Sequence, residues 1–251
     1  MSGEDGYFDE HVAATYDRDA AEKFEPSALD PAVEFLAELA GGGAALEFGI
    51  GTGRVALPLA QRGISVTGIE LSNAMVAKMR EKPGGDAINV TIGDISSATV
   101  DGSFALVYVV WNTIANLTTQ EGQVACFRNA AAHLEPGGRF VVELLVPPLQ
   151  RLSVGETFQV FHGSEDSWGI DEIDVVTQRS VSHHIEIADG KVDRISVPFR
   201  YAWPAELDLM AQLAGLSLEA RYGGWTREPF TAESRDHVSV WRKPVGDRQS
   251  D

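Results

Sequence analysis

The sequence predicts an α/β protein built on a doubly wound, mostly parallel sheet. Three observations carry that expectation. Short apolar segments alternate with helix-spaced apolar stripes between residues 31 and 145, joined by connections of a few residues. One segment, 104–110 (FALVYVV), is apolar almost throughout, as a strand covered on both faces requires. A glycine-rich turn follows the first apolar segment and opens a helix, a natural ligand site at a strand's carboxyl end.

The elements follow in order. Residues 1–30 mix aromatics with charge and read as an N-terminal arm over the active site. Asp30 as an N-cap and Pro31 at the first helical position begin a helix with the stripe Val33, Leu36, Leu39 and Ala40. Gly41-Gly42-Gly43 stops it, and 44–48 (AALEF) is the first strand. A helix over 54–61 ends before Gly63, 64–69 (ISVTGI) is the second strand, and Ser72 caps a helix running through Arg80. Residues 88–92 form a third strand and 104–110 a fourth. Thr118 and Glu121 make a capping box for a helix reaching Leu134. Pro136-Gly137-Gly138 then turns the chain into a fifth strand, 139–145.

The alternation stops at Pro147-Pro148. Within 147–200, residues 157–161 read as a strand, and 173–187 and 191–200 as two long strands around Asp189-Gly190, a pair that favours a tight hairpin. Val181, His183, Ile185 and Ile187 share one face, as do Ile195, Val197 and Phe199. The segment is an inserted antiparallel hairpin or small sheet, acting as a lid or as an interface. Trp203-Pro204 starts a last helix with the stripe Leu207, Met210, Leu213 and Ala214, and 216–222 and 237–241 are the last two strands. The core is thus 31–146 with 201–243, and 244–251 is a polar tail.

Composition narrows the function. The 251 residues carry a formal charge of −17, which repels a phosphate backbone and makes nucleic acid a poor partner. The lone cysteine, Cys126, permits neither an internal disulfide nor a multi-thiolate metal site, and its apolar neighbours mark it as an inert buried thiol. No run approaches a membrane span, and the acidic start MSGEDGYFDE resembles no targeting peptide, so the cytoplasm is the expected compartment.

The chemistry concentrates in Glu47-Phe48-Gly49-Ile50-Gly51-Thr52-Gly53-Arg54. Glycines let the chain turn sharply and admit a ligand to main-chain groups. The next strand ends at Glu70, where a carboxylate can accept both hydroxyls of an adenosine ribose. The dinucleotide fingerprint asks for a sixth-position glycine where this chain has Arg54, and Glu47 before the glycines repels a diphosphate but attracts an amine. The expected ligand is adenosine carrying an amino acid. No Gly-Lys-Ser/Thr follows, so a P-loop is absent.

These residues resemble the class I S-adenosylmethionine-dependent methyltransferases. The run 47–54 is similar to their first motif, Glu70 to their ribose acid, and Gly93-Asp94-Ile95 to the motif whose Asp meets the adenine amine and whose apolar neighbour, here Ile95, meets the ring. Leu134-x-Pro136-Gly137-Gly138 is similar to the turn before their fifth strand. The resemblance implies a seven-stranded sheet with an antiparallel last strand, and S-adenosyl-L-methionine as cofactor. It implies cofactor contacts from Tyr16, Glu47, Gly49, Gly51, Gly53, Arg54, Glu70, Leu71, Asp94 and Ile95, and from the main chain at Val110, Trp111 and Asn112. The insertion resembles the small-molecule branch, including amino-sugar N-methyltransferases of antibiotic pathways. Their loop after the fourth strand often ends in a catalytic histidine, where this chain has Asn116, which is no proton acceptor at neutral pH.

Tyr16, His11, Asn116, His183 and His184 are the candidates for work on the acceptor. His183 and His184 are adjacent on a strand and point to opposite faces, so they cannot share a metal easily, and no metal site is expected. His133 reads as a surface residue at a helix end and His237 as structural. Arg200, Arg221 and Arg227 lie among Tyr201, Trp203, Tyr222 and Trp225, a mixture suited to an anionic aromatic or nucleotide-sugar substrate, although Arg221 reads better as a surface arginine beside core aromatics. The expected reaction is in-line methyl transfer to an N or O atom of a small organic molecule. The alternatives are an NAD-dependent oxidoreductase and a non-catalytic cofactor-binding regulator or scaffold. A homodimer contact through the insertion is the other role open to it.

Overall fold

The computed structural model describes residues 7–188 and 190–245. Residues 1–6 of the arm, Asp189 of the hairpin turn and 246–251 of the tail lie outside the described residues. Strands β1 (Ala45–Phe48), β2 (Val66–Glu70), β3 (Asn89–Ile92), β4 (Phe104–Val109) and β5 (Leu134–Leu145) run parallel. A four-stranded insertion follows, comprising β6 (Phe158–Gly163), β7 (Ser167–Asp174), β8 (Arg179–Ala188) and β9 (Lys191–Arg200). The chain then returns to the main sheet with β10 (Ser217–Tyr222) and β11 (Asp236–Arg242). The seven-stranded order is β10-β11-β5-β4-β1-β2-β3, with β11 antiparallel to both neighbours. Strand order reverses between β1 and β4, so a crevice opens at their carboxyl ends.

Strand β4 explains why its sequence is apolar on both sides. Val107 and Val109 join one buried cluster, with Phe127, Phe140 and Trp241. Leu106 and Tyr108 join the other, with Leu36, Leu59 and Met79. Helices α1 (Glu10–Asp19), α2 (Pro26–Ala40), α3 (Ala56–Gln61), α4 (Asn73–Arg80), α5 (Gln120–His133) and α6 (Pro204–Leu213) complete the chain.

Several boundaries differ from expectation. The arm folds as α1, whose cap Asp9 accepts from the N–H groups of His11 and Val12. Helix α2 starts at Pro26, five residues before Pro31, which lies inside the helix. Helix α3 starts at Ala56, because Gly53 is still left-handed at φ 78°. The cap of α5 is Thr119, whose hydroxyl accepts from Gly122 N–H at 3.0 Å; Thr118 plays no such part. Leu213 is 62% exposed, so the stripe of α6 is Leu207, Met210 and Ala211. The expected turn at Gly137, φ 87°, falls within β5, and a register shift opposite it absorbs the kink.

The long strand expected over 173–187 is two strands. Asp174 breaks it: one carboxylate oxygen accepts from Val176 N–H at 2.9 Å and the other from the Thr177 hydroxyl, and Gln178 is left-handed at φ 58°. An Asx-type turn outcompetes the strand there. With β7 also beginning at Ser167, the insertion is a four-stranded antiparallel meander, the small sheet of the two forms expected.

Candidate active site

The glycine loop leaves β1 with Gly49, Gly51 and Gly53 all left-handed, at φ 72°, 55° and 78°. Glu70, at the end of β2, holds this loop. One carboxylate oxygen accepts from Gly51 N–H at 2.8 Å and the other from Ser72 N–H at 2.9 Å. The bonds that build the loop thus also set the Glu70 carboxylate beside it. Asp94 does the same after β3, accepting from Ser96 N–H at 2.7 Å.

A cleft lies over these ends, walled by Phe8, Tyr16, Gly49, Gly51, Glu70, Leu71, Met75, Asp94, Ile95, Thr113, Asn116 and Leu117. A larger cavity of about 650 Å³ lies elsewhere, between Leu149–Thr157 and the β7–β8 turn. It has apolar walls such as Leu152, Val154 and Val181 and neither Glu70 nor Asp94, so the chemistry selects the smaller cleft. The arm closes one side of that cleft. Asp17 accepts from the Thr52 hydroxyl at 2.6 Å and pairs with Lys82, while the Ser72 hydroxyl donates to the Phe8 carbonyl. Tyr16 is thereby fixed between Phe8 and Trp111, with ring centroids 6.1 and 6.2 Å away, and burial raises its phenol pKa.

Of the residues expected at the cofactor, Tyr16, Gly49, Gly51, Glu70, Leu71, Asp94 and Ile95 stand in the wall, and so does Asn116. The others stand behind it. Gly53 is a packing residue, since a Cβ there would meet Met79 Cγ at 2.7 Å. Arg54 stacks on Trp111, 4.4 Å from the ring centroid. The Trp111 N–H donates to Glu143 at 2.8 Å, the Asn112 side chain accepts from Leu145 N–H at 2.7 Å, and Val110 is buried. Glu47 is not a free carboxylate in the crevice: it is buried, accepts from the Tyr108 hydroxyl at 2.9 Å, and burial pushes its pKa up to about 8.

Met75, Thr113 and Leu117 are wall residues that the sequence reading did not assign to the cofactor. Thr113 and Leu117 lie in the loop already suspected, and Met75 sits one turn into the helix that Ser72 caps. Position after a strand end was the available signal.

The histidines separate from the cleft. His11 is exposed and faces the insertion, with Nε2 3.8 Å from Asp193 Oδ2. His183 meets Ser196 Oγ at 2.8 Å on one face of the insertion, and His184 meets Ser182 Oγ at 3.3 Å on the other. His133 is no surface residue: it is buried and receives the Val100 N–H at 3.1 Å. His237 is buried beside Ser239. The three arginines hold protein rather than substrate. Arg200 is buried against Glu206 at 2.7 Å and Gln123 at 2.6 Å, Arg221 grips Asp208 at 2.7 Å, and Arg227 grips Glu38 at 2.7 Å. Cys126 is buried, and desolvation drives its thiol pKa up.

The cleft suits an adenosine bearing an amino acid. It offers two strand-end carboxylates for hydroxyl and amine donors, an apolar Ile95 and Leu71 for a ring, and at Asn116 a buried Oδ1 that lacks a hydrogen-bond partner. Glycines at 49 and 51 keep its floor open to main-chain contact.

Fold and cleft together define a Rossmann-like transferase of the S-adenosylmethionine-dependent type. The chain belongs to the methyltransferase family and is a methyltransferase. The family described as "Methyltransferase domain" matches residues 45–138. The CcbJ methyltransferase from Streptomyces caelestis is 38% identical, with a TM-score of 0.85 over 96% of this chain and 99% of that one. The cypemycin N-terminal methyltransferase from a Streptomyces species is 27% identical over 241 residues, 90% of this chain and 97% of the relative. An S-adenosylmethionine-bound amino pentose methyltransferase of calicheamicin biosynthesis, from Micromonospora echinaspora, shares the fold. Its TM-score is 0.66 at 21% identity, over 92% of this chain and 96% of that one.

Proposed function

We propose that the enzyme binds S-adenosyl-L-methionine in the cleft of Glu70 and Asp94 and methylates a small organic acceptor by in-line displacement. The observation that carries this reading is the pair of strand-end carboxylates converging on a glycine floor, closed over by Tyr16. Glu70, which lines the cleft at the end of β2, accepts the ribose hydroxyls. Asp94 accepts the adenine amine, and Ile95 and Leu71 flank the ring. Asn116 Oδ1 takes an N–H of the amino-acid end. The cofactor supplies a methyl group already activated on a sulfonium, so the protein's work is alignment and exclusion of water. Phe8, Tyr16 and Leu117 perform that exclusion.

An amine is the favoured acceptor. The cleft wall contains no histidine, and Tyr16, its phenol pKa raised, stays protonated and serves as a hydrogen-bond donor rather than a base. An amine that arrives neutral needs no base, whereas a phenol or alcohol is helped by one. The 27% identical relative is an N-methyltransferase by name. The insertion serves as the lid over the acceptor. Its outer face exposes Phe158, Val160 and Trp168, which supports a homodimer contact there, a reading that light scattering tests.

Calorimetry tests the cofactor reading. S-adenosylmethionine and S-adenosylhomocysteine bind, NAD does not, and Glu70→Gln weakens both by roughly 1–3 kcal/mol through loss of one acceptor oxygen. Binding of NAD in place of the sulfonium nucleoside overturns the assignment.

A further inference from the structure

The chain after β4 turns through two consecutive left-handed residues that are not glycine, Trp111 at φ 50° and Asn112 at φ 59°. Asparagine tolerates that conformation because its short amide bonds locally, whereas the Cβ of tryptophan crowds the backbone there. Such a pair persists only where its surroundings hold it. The hold comes from one short stretch of β5. The Glu143 carboxylate accepts from the Trp111 main-chain N–H at 2.8 Å, and the Glu143 carbonyl accepts from the Asn112 N–H at 3.3 Å. The Leu145 N–H donates to the Asn112 side chain at 2.7 Å.

The Glu143 carboxylate is itself aimed from behind. Its other oxygen accepts from the Trp225 indole N–H at 2.8 Å. Trp225 packs edge to face on Phe35 of α2, with ring centroids 5.5 Å apart, and its loop is pinned where Arg227 reaches Glu38 on the same helix. Strand register completes the placement. Val142 pairs with Val109 at the end of β4, so Glu143 is the next residue of β5 and lies beside the turn.

The residues that follow the turn belong to the cleft. Thr113, Asn116 and Leu117 stand in its wall, and Thr113 abuts Gly49. Asn116 presents the buried Oδ1 that lacks a hydrogen-bond partner. The Trp111 ring lies between Tyr16, 6.2 Å away, and the Arg54 guanidinium, 4.4 Å away. A change of path at Trp111 and Asn112 is therefore passed to Asn116 and Tyr16. Glu70 and Asp94 are held separately, by the N–H groups of Gly51, Ser72 and Ser96.

We propose that Glu143 is a positioning residue: by holding Trp111 and Asn112 left-handed, it sets Asn116 for the amino-acid end of the cofactor and leaves the nucleoside end to Glu70 and Asp94. The inference rests on the cofactor reading above and adds to it a residue outside the cleft wall.

The test compares two ligands of the full chain by calorimetry. S-adenosylhomocysteine carries the amino-acid end and methylthioadenosine lacks it. Both are expected to bind the wild type. Glu143→Leu removes both acceptor oxygens and is expected to weaken S-adenosylhomocysteine by about tenfold or more while the affinity for methylthioadenosine stays unchanged. Glu143→Gln leaves one oxygen for two donors. Combining it with Trp225→Phe removes the competing indole, so this double variant is expected to recover most of the affinity for S-adenosylhomocysteine that Glu143→Leu loses. Parallel weakening or loss of both ligands in Glu143→Leu assigns Glu143 a general structural role and overturns the proposal. So do unchanged affinities in Glu143→Leu, and a double variant as weak for S-adenosylhomocysteine as Glu143→Leu. A wild type that binds S-adenosylhomocysteine but not methylthioadenosine also overturns it, because the nucleoside end is then not held independently. Failure of S-adenosylhomocysteine to bind the wild type instead overturns the cofactor reading, so the two failures are distinct.

Discussion

Glu47 shows how a residue's chemistry follows its surroundings rather than its motif. Its sequence position marks it as a carboxylate facing a ligand amine, but burial under the glycine loop leaves it protonated at neutral pH in the free protein, against the opposing pull of the Tyr108 hydroxyl that donates to it. Its pKa rises from 4.5 unfolded to about 8 folded. Between those values the folded chain keeps a proton that the unfolded chain has released, so this group's contribution to stability falls as pH rises through the window. His237 works in the opposite sense: lowered from 6.5 to about 4, it makes stability rise with pH between those values. Glu47→Gln removes the first slope and leaves the second. Urea melts near pH 5 and near pH 8 are expected to show the variant gaining on the wild type at the higher pH. A difference between the two proteins that is the same at both pH values rejects the assignment.

At the scale of elements, local chemistry fixed most termini and long-range contact fixed the rest. Ser72 caps α4 as its sequence says, with its hydroxyl accepting from Met75 N–H at 3.1 Å. Thr118 and Thr119 offer the same hydroxyl one residue apart, and only the path of the preceding loop chose Thr119. The glycine loop depends on a distant element as well. A Cβ at Gly49 would sit 2.5 Å from Thr113 Cγ2, in the segment Thr113–Asn116 after β4, on a backbone at φ 72°. Gly49→Ala is expected to cost roughly 1–3 kcal/mol from backbone strain alone, with loss of S-adenosylhomocysteine binding as Thr113 is displaced into the cleft. Adding Thr113→Ala relieves the collision but not the strain, so the double variant recovers part of the loss. Urea melts and calorimetry report both effects, and a Gly49→Ala protein with wild-type stability refutes the account.

In the whole molecule, the N-terminal arm and the internal insertion approach each other at His11 and Asp193, 3.8 Å apart. The arm is tied to the glycine loop through Asp17, Thr52 and Lys82 and contributes Phe8 and Tyr16 to the cleft, while the main sheet and its two buried clusters lie elsewhere. Deletion of residues 1–18 is therefore expected to leave a cooperative thermal melt and to weaken S-adenosylhomocysteine binding by about tenfold or more. An unchanged dissociation constant shows that the arm is not part of the site. The insertion is anchored at its far end by Arg200, buried among Gln123, Gln178 and Glu206, which join β9 to α5 and α6. That cluster is why an arginine among aromatics, read from sequence as a substrate contact, is a strut.

By itself the sequence determined the parallel sheet, the glycine turn and the two strand-end carboxylates, because each is written within a few adjacent residues: apolar runs, left-handed glycines, an acid at a strand's end. Glu70, Asp94, Gly49 and Gly51 stand where that local reading puts them. Tertiary structure alone decided the protonation of Glu47, the burial of His133 and Arg200, and the division of the insertion into four strands. Those outcomes turn on burial by neighbours far along the chain, for Glu47, on partners such as Val100 for His133 and Glu206 with Gln123 for Arg200, or on a side chain competing with a strand, as Asp174 does.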